Sequence, residues 1–274
     1  MKVREVKVRK ALTPSGLPDV NLALNPYVGC YHGCVYCYAR LYVRDEEIAK
    51  RWGEVIAVKV NLPELLAREA RKGLGIVGLG TVTDPYQPLE RKYRLTRRSL
   101  KILLKRGLEV SIQTKSDLIL RDLDLLSTYA EKVDVGFTIT TTDPRIASKM
   151  EPKAPTPKSR IKALEELSSV GIRTWLFLGP IIPGYNDNLD SIEELIEVAS
   201  STNSILYYDK LRVKEFMLDP NHPLYEAAEK AKAYPWASLF KVIRSLCRRM
   251  EVKCAPGLSY LKPKVRDMKL DGFL

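Results

Sequence analysis

Cys30, Cys34 and Cys37 fall within the single stretch NPYVGCYHGCVYCYAR. The C-x3-C-x2-C spacing supplies three thiolates from one short loop and no fourth. A cubane [4Fe–4S] cluster is held by four thiolates, one per iron, so a three-cysteine loop leaves one iron open to a ligand that is not protein. Two other readings use the same residues. His32 is a candidate fourth ligand for a Cys3His zinc site, although structural zinc ligands usually come as two separated pairs and His32 lies between two of the cysteines, where a compact tetrahedron is awkward to close. A disulfide would leave an odd thiol in a chain whose start, MKVREVKVRK, carries no secretory pattern. The spacing favours iron–sulfur.

The three-cysteine spacing and the aromatic Tyr36 just before the third cysteine resemble the radical S-adenosylmethionine (SAM) superfamily. The loop GTVTDPYQPLE (80–90) and the later EP-x-A-P and PIIPGYND stretches are similar, in the same order, to the branch that contains spore photoproduct lyase. The resemblance runs from about residue 20 to 215. It implies a [4Fe–4S] cluster on Cys30, Cys34 and Cys37, SAM chelated at the open iron, and reductive cleavage of SAM to a 5′-deoxyadenosyl radical that takes hydrogen from a substrate. Protein supplies position and cofactor supplies reactivity.

Further roles follow from the resemblance alone. Thr83 and Asp84 stand where a glycine-rich motif would meet the SAM ammonium, although Thr-Asp-Pro is equally a good turn start. Lys115 is placed to pair with the SAM carboxylate. Thr138 and Thr140 are candidates for the ribose hydroxyls, or plain strand formers. Glu151 and Arg160 fall near the cofactor, or pair with each other. Ile181 lies in the bend expected to pack on adenine, Tyr36 walls the adenine, and Tyr38 is a candidate hydrogen relay. The lyase's hydrogen-donating cysteine falls at Thr81, whose O–H bond is too strong for that task, so lyase-type DNA repair by the same route is not expected. Cys247 and Cys254 are the remaining thiols that could donate hydrogen, set against the commoner role of a free cysteine as a small buried hydrophobe.

These residues need a scaffold, and the pattern provides one. Apolar residues alternate at Val110 and Ile112 and at Val133, Val135, Phe137 and Ile139; 22–24, 76–80, 172–179 and 205–208 read as further strands. Between them Leu100, Leu103 and Leu104, then Ile161, Leu164 and Leu167, then Ile192, Leu195, Ile196 and Ala199 recur at helical spacing. About six βα units result, fewer than the eight of a closed barrel. The expected fold class is α/β, a partial (β/α)6 TIM-like radical SAM barrel over 1–212, with a C-terminal helical extension over 213–274 whose helices lie at 226–233 and 238–250. The segment 55–60 reads as an extra strand without a place in that scheme.

The chain has 45 Lys plus Arg against 33 Asp plus Glu, a net charge of +12. Such an excess attracts polyanions, and nucleic acid is the expected partner. Basic residues bunch at 91–106, 149–162 and 253–269. No run long enough to span a membrane occurs, and a reducing cytoplasm is expected, with an electron donor such as ferredoxin or flavodoxin. The leading expectation is a radical SAM enzyme acting on nucleic acid, in lyase-like DNA repair or base modification. A radical SAM enzyme acting on a peptide or small metabolite, and a non-catalytic metal-binding nucleic-acid module, are the alternatives.

Overall fold

The computed structural model describes residues 1–17 and 19–257. The basic stretch expected at 253–269 therefore lies outside the described residues beyond 257, as does the end of the expected extension. The strands are β1 (Lys2–Val6), β2 (Thr13–Pro14), β3 (Leu22–Leu24), β4 (Tyr27–Val28), β5 (Val55–Lys59), β6 (Ile76–Leu79), β7 (Glu109–Thr114), β8 (Val133–Thr138), β9 (Arg173–Ile181), β10 (Ile205–Lys210) and β11 (Cys254–Pro256). The helices are α1 (Glu46–Lys50), α2 (Leu62–Glu69), α3 (Glu90–Tyr93), α4 (Leu95–Lys105), α5 (Leu123–Thr128), α6 (Pro144–Met150), α7 (Pro157–Ser169), α8 (Leu189–Ser201), α9 (Tyr225–Lys232) and α10 (Trp236–Arg249).

The main sheet runs in the order β11-β10-β9-β8-β7-β6-β3-β2. Its pairs are parallel except β2 with β3, which is antiparallel. This is the partial α/β barrel expected from the βα alternation. In the strands, period-2 alternation sends Val110 and Ile112 of β7, and Leu176 and Leu178 of β9, into one core with Leu100, Leu103 and Leu104 of α4 and Ile192, Leu195 and Ile196 of α8. Each such buried aliphatic side chain contributes roughly 1.5–3 kcal/mol. The intervening residues Ser111, Gln113, Trp175 and Phe177 are only partly buried and face the other side of the sheet, the barrel lumen. Leu24 pairs with Leu79, Leu79 with Ile112, Thr114 with Phe137 and Thr138 with Phe177. The strands thus finish together, and their following loops share one end of the barrel.

The segment at 55–60, which sequence alone left without a place, is the centre of a second sheet. Strand β5 pairs parallel with β1 and antiparallel with β4, and Val55, Ile56 and Val58 are fully buried. Because β4 leads directly into the cysteines, this small sheet fixes where their loop starts. Residues 213–257 add α9, α10 and the edge strand β11, so this part of the chain extends the main sheet as well as supplying helices.

Candidate active site

The cysteine loop leaves β4 at the carboxyl end of the barrel and is gripped from two sides. On one side is the loop after β6. Thr83 Oγ1 donates to Gly29 O at 2.6 Å, Gln87 Nε2 donates to the same oxygen at 3.3 Å, and Gln87 Oε1 accepts from Tyr31 N at 2.9 Å. On the other side is the segment after α6. Val35 N donates to Met150 O at 2.9 Å, Lys153 N donates to His32 O at 3.2 Å, and Tyr36 Oη donates to Glu151 Oε1. The TDPYQ and EP-x-A-P stretches are therefore the two jaws that hold the loop. Gly80 makes the first jaw possible. Its φ is +89°, and a Cβ there would lie 2.2 Å from Gln113 O, so only glycine lets the chain turn so closely over the end of β7.

Asp84 ties this jaw to the neighbouring strand. Its Oδ1 accepts from Thr114 Oγ1 at 2.7 Å and its Oδ2 from Lys115 N at 2.7 Å, while His32 Nδ1 approaches Oδ2 at 3.4 Å. Thr83 and Asp84 are thus both brought to the cysteine loop, with their oxygens turned onto Gly29, Thr114 and Lys115. His32 faces Asp84, and neither of its ring nitrogens makes a hydrogen bond among the described residues. Its imidazole is buried, and that burial lowers its pKa against the opposing pull of Asp84.

The three cysteines are free thiols; Cys30 and Cys34 are buried and Cys37 partly so. Burial pushes the Cys30 thiol well up, with Asp84 and then the other two cysteines adding to it. Cys34 rises to about 12 from burial, with Lys115 pulling it back, and burial likewise raises Cys37. Three free thiols converging from one loop fit a cationic metal centre, which would favour the thiolates. Lys115 lies beside them. Burial opposes its charge, but Cys34, Glu151 and Cys37 outweigh burial and raise its pKa. Its Nζ sits 5.7 Å from the Tyr36 ring centroid and makes no hydrogen bond among the described residues, which leaves it free for an incoming anion.

Behind Lys115 is a buried ion pair. Arg160 Nη1 lies 2.5 Å from Glu151 Oε2, and both side chains are at most 1% exposed. The local sequence explains how a guanidinium comes to be inside. Helix α7 is capped by Thr156, whose Oγ1 accepts from Ser159 N, and it buries Arg160, Ala163, Leu164 and Leu167, the i, i+3, i+4, i+7 stripe of a core-facing helix. Arg160 is the first residue of that stripe, so it points at the strand ends. There Nε donates to Pro155 O at 2.8 Å and Nη1 to Thr138 O at 3.0 Å. Arg160 and Glu151 do pair with each other, and through Tyr36 the pair reaches the cysteine loop.

Thr138 Oγ1 accepts from Gln113 Nε2 at 3.2 Å. Thr140 is buried, and its hydroxyl has no partner among the described residues. Ile181 is fully buried in the main core. Asn186, which the sequence reading passed over, locks the bend after β9 by donating to Thr140 O and Pro180 O and accepting from Ile182 N. Tyr38 is 44% exposed and donates to Thr81 O at 2.9 Å, so its phenol lies against the loop position where a cysteine was expected to be missing. The expectation for the last two cysteines is corrected. Cys247 and Cys254 are joined in a disulfide, with Cα atoms 6.3 Å apart. Cys254 opens β11 opposite Leu206, near the start of β10, so the bond sits at the other end of the strands and offers the site no thiol.

An open, largely parallel barrel with three free thiols on one loop at its carboxyl end defines a class, the radical SAM fold. Residues 24–199 match the Radical SAM superfamily, and the chain belongs to that family. An uncharacterized protein of Methanocaldococcus jannaschii is 35% identical over 240 residues, which cover 85% of this chain and 89% of that one. A Radical SAM Nalpha-GlyT isomerase of Pseudomonas phage M6 is 28% identical over 181 residues, 63% of this chain and 35% of that one. Among solved structures, spore photoproduct lyase complexed with dinucleoside spore photoproduct superposes with a TM-score of 0.67 at 14% identity, covering 93% of this chain and 81% of that one. SuiB of Streptococcus suis bound to S-adenosylmethionine gives 0.56 at 14% identity, covering 92% and 55%. The family uses a [4Fe–4S] cluster and SAM, and three free thiols on one loop, with the Lys115 ammonium beside them, are a donor set that fits the cluster. Among the described residues no helix is long and apolar enough to cross a membrane.

Proposed function

We propose that this protein is an enzyme that modifies nucleic acid by removing a hydrogen atom from a base or sugar. Cys30, Cys34 and Cys37 would hold the [4Fe–4S] cluster with SAM beside Lys115, and together these cofactors would supply the reductive cleavage of SAM from which hydrogen abstraction follows. The chain's own residues do the rest. The two jaws hold the cysteine loop still, Lys115 orients the carboxylate, and the Glu151–Arg160 pair fixes Tyr36 at the loop. The lumen beside the site is lined by Gln113, Thr138 and Phe177, hydrogen-bonding groups with an aromatic face suited to a flat heterocycle. Tyr38, exposed at the mouth and set against Thr81, is the candidate hydrogen relay in place of a thiol.

The observation that carries the reading is the free ammonium of Lys115 beside three convergent thiols at the mouth of that lumen. The net charge of +12 and the likeness in fold to spore photoproduct lyase support nucleic acid as the substrate. A small acidic iron–sulfur or flavin protein of the ferredoxin or flavodoxin type would supply the electron. The test is to reduce anaerobically reconstituted protein with dithionite and tritiated SAM in the presence of duplex DNA, single-stranded DNA or RNA. Label in the polymer, or 5′-deoxyadenosine formed only when a polymer is present, is the expected result. Formation of 5′-deoxyadenosine that no polymer alters would overturn the assignment of substrate.

A further inference from the structure

The outer helices of the barrel carry charge of separate sign. No Asp or Glu occurs between Glu90 and Glu109, the stretch that forms α3 and α4, whereas α8 contains Asp190, Glu193, Glu194 and Glu197 and no Lys or Arg. An ordinary solvated helix mixes the two signs, so the segregation needs an account. Helix α4 also divides its own cations. Arg97 is tied down, Nη1 to Asp122 at 3.0 Å and Nη2 to Asp124 of α5 at 2.7 Å. Arg98 meets Glu64 at 2.8 Å in an exposed pair. Arg94, Lys101 and Lys105 are exposed and have no ion-pair partner among the described residues.

The exposed cations share one side of the helix. Arg98, Lys101 and Lys105 stand at i, i+3 and i+7 within α4, within about 60° of one another at 100° per residue, and with Arg94, whose left-handed backbone (φ +50°) precedes the first turn, they extend over about 16 Å. One strand of a duplex presents a phosphate about every 3.4 Å of axis while winding around it, so a straight stripe of this length meets several phosphates, fewer than the axial spacing alone would give. Its upper end leads to the active site. Helix α4 follows the β6 loop, so the Arg94 end lies at the carboxyl end of the barrel. Arg91, one turn earlier, lines a cavity of about 240 Å³ together with Lys153, Ser116 and the buried His32 of the cysteine loop.

We propose that the α4 stripe is a track for the sugar–phosphate backbone of a nucleic acid, which it leads to the cavity beside the cysteine loop. This rests on the nucleic-acid reading above and adds the surface that binds the polymer. Phosphate contacts of this kind are independent of sequence and release counterions, so affinity falls steeply with salt, with a slope of about −0.9 per neutralised phosphate on duplex DNA.

The test uses the full chain and fluorescein-labelled oligomers of about 20 nucleotides of duplex DNA, single-stranded DNA and RNA, with anisotropy titrations from about 50 to about 300 mM KCl, the range over which binding falls steeply. The Arg94→Gln/Lys101→Gln/Lys105→Gln variant removes three unpaired cations from the stripe. The Lys158→Gln/Lys162→Gln/Arg173→Gln variant removes the same charge from the α7–β9 side. For duplex DNA the stripe variant should flatten the salt slope by about 2–3 and weaken binding by roughly a hundredfold near 100 mM salt, while the control variant keeps the slope of the unmodified protein. Equal slopes in the stripe variant and the unmodified protein, or equal losses in both variants, overturn the track and leave the nucleic-acid reading standing. Absence of salt-dependent binding by the unmodified protein to any of the three polymers removes both.

Discussion

Replacing Arg160 by methionine probes the coupling between core and site. The substitution keeps most of the side-chain volume and deletes the guanidinium, leaving Glu151 buried with Lys115 and Tyr36 but without the partner 2.5 Å away. Removing one member of a buried pair costs about 3–5 kcal/mol, because the remaining charge is uncompensated. With a guanidinium chloride slope on the order of 5 kcal/mol/M for a chain of this size, the unfolding midpoint should fall by about 0.6–1 M. The pH dependence gives a second, independent reading. Burial raises the Glu151 pKa, but Arg160 and then Lys115 outweigh burial and hold it below the ordinary value. A depressed carboxyl contributes stability that is present above the unfolded-state pKa and is lost as pH falls through the lower folded-state value. In the Arg160→Met variant burial has the upper hand, the folded-state pKa moves above the unfolded one, and the sign reverses: stability should increase on going from about pH 7 to about pH 5. Adding Glu151→Gln should recover part of the loss, since no buried charge is then left alone. A midpoint shift equivalent to less than about 1 kcal/mol, with the unmodified protein's pH dependence retained, would refute the view that this pair is an essential buried charge couple.

Alanine at Cys34 should abolish the brown colour and iron content of anaerobically reconstituted protein while circular dichroism stays unchanged. Lys115→Met should weaken SAM binding by about 10–100-fold, the loss of one charge-assisted contact of about 1.5–3 kcal/mol, without changing the iron content; isothermal titration of the reconstituted protein measures it. The Cys247→Ser/Cys254→Ser variant should retain SAM cleavage, because the disulfide lies at the far end of the strands. It should lose about 2–3 kcal/mol of stability from opening so short a loop, read by denaturant unfolding under non-reducing conditions. Gly80→Ala should hinder cluster uptake, since the new Cβ would strike the Gln113 carbonyl and displace the jaw that carries Thr83.

Much of this architecture is legible in the sequence because it rests on periodicity. Strand β3 falls at Leu22–Leu24 as expected, and β7 and β8 follow their Val/Ile alternation. The three-cysteine loop is legible because its spacing marks it, and the structure keeps all three as free thiols. What the sequence could not show was partnership across the chain. Asn25, Gln87 and Asn186 are polar residues in loops, with no period to mark them, yet Asn25 binds Thr81 and Val82 and Gln87 holds Gly29 and Tyr31. Strand β5 had no visible place because both of its partners, β1 and β4, are short and distant in sequence. The pairing of Cys247 with Cys254 depends on α10 folding back against β11, which brings the two Cα atoms 6.3 Å apart although neither residue's surroundings mark it.

The grip on the cysteine loop also sets an order of events during synthesis. One jaw is built from residues 83–87 and the other from 150–153, and the floor beneath the loop requires β1 and β5. A ribosome that has released only the three cysteines has therefore produced none of the walls that hold them. The thiols reach the geometry they have in the folded protein only after more than a hundred further residues have emerged, so the loop's shape is set by segments made long after the cysteines themselves.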